Sequence, residues 1–144
     1  MQHDIGKIGI PDTILNKPTK LTEEEYAVIK EHTVIGAEIL KNIRLIDHVT
    51  EVARSHHERY DGTGYPDGLK GDQIPICAQV VGLVDDYDAL VSERPYKRKL
   101  RHGEAVRMII NGECGAFSMK LLQCFLAAAM QKEWVQKVET DTEA

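Results

Sequence analysis

The sequence predicts an all-α helical bundle, and three observations carry that reading. Thr22 and Glu25 stand as a capping box at the head of a long helical period, hydroxyl and carboxylate satisfying the free N–H groups of a helix start. Residues 76–92 form an apolar run behind Pro75 that is too long for a strand. No stretch of useful length alternates apolar and polar residues as a half-buried strand does.

Taken in order, residues 1–9 read as the end of a helix, and Ile10-Pro11-Asp12 to Lys20 as a loop with two prolines. A helix follows to about Lys41, with Ile29, His32, Gly36, Ile39 and Leu40 on one face. A second covers Ile46 to His57. Between Tyr60 and Pro75 lies a long Gly-rich loop, in which Gly62, Gly64, Gly68 and Gly71 suit turns that need positive φ. The helix from Ile76 to Ser92 is apolar on nearly every face, which predicts a place at the centre of the fold. Two more helices span Arg101 to Asn111 and Ser118 to Gln136. Residues 1–136 thus form one domain, and 137–144 a polar C-terminal tail that frays.

A chain of 144 residues suffices for one domain with a real core. Its net charge of −5 argues against a general nucleic-acid binder, which needs surplus Lys and Arg. Cys77, Cys114 and Cys124 are odd in number and lack CxxC spacing, so neither a disulfide framework nor a thiolate metal site is indicated, and a cytoplasmic location is expected. No apolar run approaches the ~20 residues of a membrane span, and the first residues do not read as a signal peptide.

The chemistry lies in the histidines and in two aspartates. His32 sits on the apolar face of its helix, where a lone His is more often a hydrogen-bonded core residue than a ligand. His56 and His57 end a helix, and imidazoles there also suit the dipole at an exposed terminus. Asp85 and Asp88 share a face at i and i+3 of the apolar helix. Burying them requires compensation by a metal or by an Arg. Together these groups make a nitrogen/oxygen set suited to Fe, Mn, Zn or Co rather than calcium. More than four candidate ligands point to two ions about 3.5–4 Å apart, able to activate water and hold phosphoryl oxygens. His48 and His102 lack such company and read as structural or solvated. Arg94, Lys97, Arg98, Lys99 and Arg101 form a basic run in an acidic chain, either an anion contact or a solvated helix start. Tyr65 is either a stacking surface for a base or a loop anchor, and Glu58 a candidate carboxylate partner for a ligating His.

Four blocks, in order and spacing, resemble HD-GYP domains. They are His3-Asp4-Ile5-Gly6-Lys7-Ile8-Gly9-Ile10-Pro11, then His56-His57-Glu58-Arg59-Tyr60-Asp61-Gly62-Thr63-Gly64-Tyr65-Pro66, then Val84-Asp85-Asp86-Tyr87-Asp88-Ala89-Leu90, and Arg94-Pro95-Tyr96-Lys97. The resemblance covers roughly residues 1 to 128. It implies an HD-type helical bundle and a metal-dependent phosphodiesterase that hydrolyses cyclic di-GMP to the linear dinucleotide, and in some members to GMP, in bacterial second-messenger signalling. It implies two or three divalent transition-metal ions, Fe or Mn foremost. The implied ligands are His3, Asp4 as the bridge, His32, His56, His57 and Asp85. Lys7 would sit beside the substrate phosphate, and Asp88 would orient the attacking water or take its proton. Arg94 and Lys97 would contact phosphates, and the loop with Tyr65 would shape the rim and a docking surface for GGDEF domains.

Relatives have one or two helices ahead of the His-Asp pair, carrying a further His ligand, whereas this chain begins two residues before it. The expectation is therefore an N-terminally truncated domain, weakly active or inactive by itself and prone to self-association, with a sensor or receiver domain in the parent chain. The alternatives are a phosphohydrolase of another nucleotide or cyclic dinucleotide, and a catalytically impaired binding module.

Overall fold

A computed structural model describes residues 2–43, 47–94 and 97–142. Ile46, where the second helix was expected to start, and Pro95 and Tyr96 of the fourth block lie outside these residues. The described residues are helical, with one isolated antiparallel bridge between Arg94 and Lys97 and no strand.

The chain opens with a 3₁₀ helix, Gln2–Gly9, followed by α1 (Asp12–Leu15), α2 (Glu23–Lys41), α3 (Asp47–Ser55), α4 (Ile76–Val91), α5 (His102–Ile110) and α6 (Met119–Thr142). The short α1 replaces part of the expected two-proline loop. Pro11 at its N-cap needs no amide hydrogen there, so this proline starts a turn of helix rather than preventing one. The capping box of α2 forms as expected: Glu25 N donates to Thr22 Oγ1 at 3.2 Å and Thr22 N to Glu25 Oε2 at 2.9 Å. Helix α6 continues through the polar residues 137–142, and residues 143 and 144 lie outside the described set.

The 3₁₀ helix lies against α2, and glycine permits the closeness. A Cβ on Gly6 would run into the His32 carbonyl oxygen, and Gly36 faces Gly6 across the same contact. On α4, Gly82 meets the His56 carbonyl in the same way. These approaches fix the 3₁₀ helix, α2, the end of α3 and α4 around one point. A separate core of Leu83, Leu90, Ala105 and Ile109, flanked by Tyr87, Phe117 and Phe125, joins α4 to α5 and α6.

Helix α4 is not apolar-buried on all sides. Leu83 and Leu90 are inside, while Ile76, Val80 and Val84 remain 63, 42 and 47% exposed. Their spacing of four residues makes them one outward stripe. In the loop, Gly62, Gly68 and Gly71 have positive φ, but Gly64 does not need it. Gly64 is required because a side chain would strike the backbone of residues 57–59.

Candidate metal centre

Four segments deliver the predicted groups to one place. The 3₁₀ helix brings His3, Asp4 and Lys7, α2 brings His32, the turn after α3 brings His56 and His57, and α4 brings Asp85. Asp4 Oδ1 lies 3.6 Å from His32 Nε2 and 3.8 Å from His56 Nε2. Its Oδ2 is 2.9 Å from Lys7 Nζ and 3.7 Å from His3 Nε2, and His3 Nε2 reaches Asp85 Oδ1 at 3.3 Å. Two donor groups result, Asp4 with His32, His56 and His57, and Asp4 with His3 and Asp85. Asp4 belongs to both, with Oδ1 toward His32 and His56 and Oδ2 toward His3.

The imidazoles are oriented from behind. His32 Nδ1 is 2.6 Å from the Ile29 carbonyl, and His56 Nδ1 lies 2.9 and 3.0 Å from the carbonyls of Val52 and Ala53. A carbonyl only accepts, so Nδ1 carries the hydrogen and Nε2 presents its lone pair toward Asp4. Those two Nε2 atoms and Asp4 Oδ1 are buried without any hydrogen-bond partner. Such orphaned groups cost roughly 1–3 kcal/mol each. All three are ligand atoms facing one another, so a divalent cation fits the residues present.

Protonation agrees. Burial depresses His32, and burial with the neighbouring imidazoles depresses His57 to about 3, so both rings stay neutral as ligands must. Burial would raise Asp4, but the polar groups around it, Lys7 at 2.9 Å among them, hold the carboxyl well below the usual range. The His3 contact holds Asp85 down against its own burial.

A cavity of about 600 Å³ opens over this cluster. Of the predicted substrate-side residues, Lys7, Tyr65 and Arg94 line it. Lys97 does not, and Asp88 does not either: Asp88 is exposed, with Ser92 Oγ donating to it at 3.4 Å. At roughly 100° per residue, Asp85, Asp86 and Ala89 define the cavity face of α4, and Asp88 falls on the far side of Asp85 from it. Tyr65 stacks on His57, centroids 4.9 Å apart at 23°, which favours the anchor reading of that ring. Glu58 is no partner of a histidine. It is 3% exposed and accepts from Asp67 N at 2.7 Å and Leu69 N at 3.0 Å, tying the Gly-rich loop to the histidine turn. His48 is exposed beside Glu51, and His102 bonds Tyr87 Oη at 2.7 Å, both away from the cluster.

Sequence reasoning missed several lining residues, among them Arg59, Asp86, Tyr26 and Lys30. Arg59 donates to Asp86 at 2.9 Å and to the Cys114 carbonyl at 3.2 Å, joining the histidine turn to α4 and to the turn after α5. Burial pushes the Asp86 carboxyl up to about 6, against the opposing pull of that guanidinium. In sequence, Arg59 was visible only as a residue of the second block.

The HD domain family matches residues 1–114. A cyclic di-GMP phosphodiesterase of Thermotoga maritima is 45% identical over 141 residues, covering 96% of this chain and 38% of the relative. A 3′3′-cGAMP-specific phosphodiesterase of Vibrio cholerae is 46% identical over 97 residues, 66% of this chain and 19% of the relative. The chain therefore spans well under half the length of these curated relatives. Among solved structures, an HDG"Y"P protein from Bdellovibrio bacteriovorus superposes with a TM-score of 0.65 at 22% identity, over 84% of this chain and 38% of that one, which shows the shared fold.

Proposed function

This chain belongs to the HD domain family, and from that premise we propose that it is the metal-dependent hydrolytic portion of a cyclic dinucleotide phosphodiesterase acting on cyclic di-GMP. The observation that carries the reading is the trio of buried, unpartnered ligand atoms, Asp4 Oδ1, His32 Nε2 and His56 Nε2, meeting at one point.

Asp4, His32, His56 and His57 would hold one divalent ion, and His3, Asp4 and Asp85 a second, with Fe or Mn suited to the donors. When bound, such ions make water acidic enough to attack at neutral pH and polarise phosphoryl oxygens. The chain's own residues supply the rest. Lys7, bonded to Asp4 and facing the cavity, neutralises charge growing on a phosphoryl oxygen. Arg94 offers a second cation at the rim. Burial and the adjacent Tyr26 raise the Tyr65 phenol, so it remains a donor. Neither Asp88 nor Lys97 lines the cavity, so the proposal gives them no contact with the reacting phosphate.

The test is turnover of cyclic di-GMP by protein loaded with Mn or Fe, followed by chromatography. The linear dinucleotide is the expected product. Silence with every metal, beside an active relative as control, would defeat the proposal. A second reading, a cyclic dinucleotide containing adenine, is favoured by the 46% identity to the cGAMP-specific relative, and a substrate panel separates the two. Self-association is supported by the outward stripe of Ile76, Val80 and Val84, and sedimentation measures it.

A further inference from the structure

Resting on the hydrolytic reading above, we propose that Tyr26 and Lys30 form a guanine-recognition subsite beside the metal centre, Tyr26 stacking on the base and Lys30 donating to its O6 and N7. Both residues line the same cavity as Asp4, His32 and Asp85. They stand one turn apart on α2, so they share a face. His32 follows two residues after Lys30 on the same rigid helix, which fixes the distance from subsite to metal centre.

Tyr26 is 45% exposed. The Tyr65 ring meets it edge-on with centroids 6.3 Å apart, but Tyr65 is committed to its stack on His57. Tyr26 is thus the aromatic surface with room for a purine. The Lys30 ammonium lies 4.7 Å from the Tyr26 centroid and 5.2 Å from that of Tyr65. No salt bridge among the described residues holds it. A purine laid against Tyr26 would bring its edge within reach of this ammonium, exchanging cation–π contacts for hydrogen bonds.

The chemistry then selects the base. Guanine presents two acceptors, O6 and N7, on one edge, whereas adenine presents one acceptor and an amino donor there. An ammonium has three donors and no acceptor, so it matches guanine and opposes the adenine amino group. Lys7 and Arg94, the cations nearest the phosphate in the proposed mechanism, cannot make this distinction, because phosphates carry no base identity.

The test is calorimetric titration of the metal-loaded chain with cyclic di-GMP and with cyclic di-AMP. Wild type is expected to prefer the guanine ligand. Lys30→Met should weaken cyclic di-GMP about tenfold and erase most of the preference, while Lys30→Arg, which keeps paired donors, should retain it. Tyr26→Ala should weaken both ligands, since stacking is indifferent to base. A guanine-to-adenine affinity ratio unchanged in Lys30→Met overturns the subsite, and so does a wild type without preference. Turnover of bis(p-nitrophenyl) phosphate by wild type, a diester with no base, tests the hydrolytic reading separately, so failure of one reading is not mistaken for failure of the other.

Discussion

His32 Nε2 stands 3.6 Å from Asp4 Oδ1, and both atoms are buried without a hydrogen-bond partner. Asp4 is the group shared by the two donor sets, so its removal acts on both. Asp4→Ala should lose bound metal at both positions, and elemental analysis of freshly purified protein reads this directly. Full metal content in that variant would rule out Asp4 as a ligand.

Chelation supplies a reversible form of the same experiment. Metal bound only by the folded state adds about 2.7 kcal/mol at a hundredfold excess over Kd. For a chain of this size that corresponds to a fall in Tm of roughly 5–10 °C when the ions are stripped. Differential scanning calorimetry with and without chelator measures it, and returning Mn or Fe should restore the higher transition.

Much of the fold and of the side-chain cluster was legible because the signals were local or came in blocks. Thr22 and Glu25 announce α2 within four residues, and His3-Asp4, His56-His57 and Asp85 each sit in a recognisable string. What stayed hidden depends on which way a side chain turns after folding. Asp85 and Asp88 share a helix face in sequence, yet the cavity lies on the other flank of Asp85, beside Asp86 and Ala89. Glu58 follows His56 and His57, but its carboxylate serves the backbone of the loop ahead of it. Tyr26 and Lys30 carry no motif of their own on α2, and what they share is seen only when Tyr65, far along the chain, is set beside them.

Gly6 holds the spacing between Asp4 and His32. A methyl group there meets the His32 carbonyl, part of the α2 backbone, which cannot move aside as a flexible side chain would. Gly6→Ala should cost about 1–3 kcal/mol in urea unfolding, the usual cost of overpacking, and should lower metal occupancy by forcing the 3₁₀ helix off α2. Wild-type stability and metal content would show that this approach is looser than the structure has it.

Arg59 clamps three segments through a single guanidinium. It pairs with Asp86 at 2.9 Å, and both side chains are mostly buried, at 13 and 19% exposure. It also bonds the carbonyls of Glu58 and Cys114, and its guanidinium carbon lies 5.2 Å from the Phe117 centroid. Arg59→Ala leaves a buried carboxylate uncompensated, a loss of about 3–5 kcal/mol. Pairing it with Asp86→Leu should recover part of that loss, because the stranded charge is gone, while the carbonyl bonds stay lost. A double variant no more stable than Arg59→Ala would place the clamp's value in those carbonyls alone.

Acid should loosen the metal-free protein, with the sign set by the histidines. Burial lowers His57 to about 3 and lowers His32 as well, while in the unfolded chain each titrates near 6.5. Below that value the unfolded state binds protons that the folded state refuses, so stability falls with pH at up to about 1.4 kcal/mol per unit per group. Asp86 works the other way. Burial raises its carboxyl to about 6, so the folded state binds a proton between that value and the ordinary aspartate range near 3.8. As pH falls through this window, Asp86 stabilises the fold and offsets one histidine. Chelator-treated wild type should therefore lose stability most steeply between pH 6.5 and 6 and more gently below. Asp86→Asn should keep the steep slope further into acid, and His57→Gln should flatten it, with urea midpoints across pH as the measure. A wild-type midpoint indifferent to pH between 7 and 5 would mean that these imidazoles are not held neutral by burial.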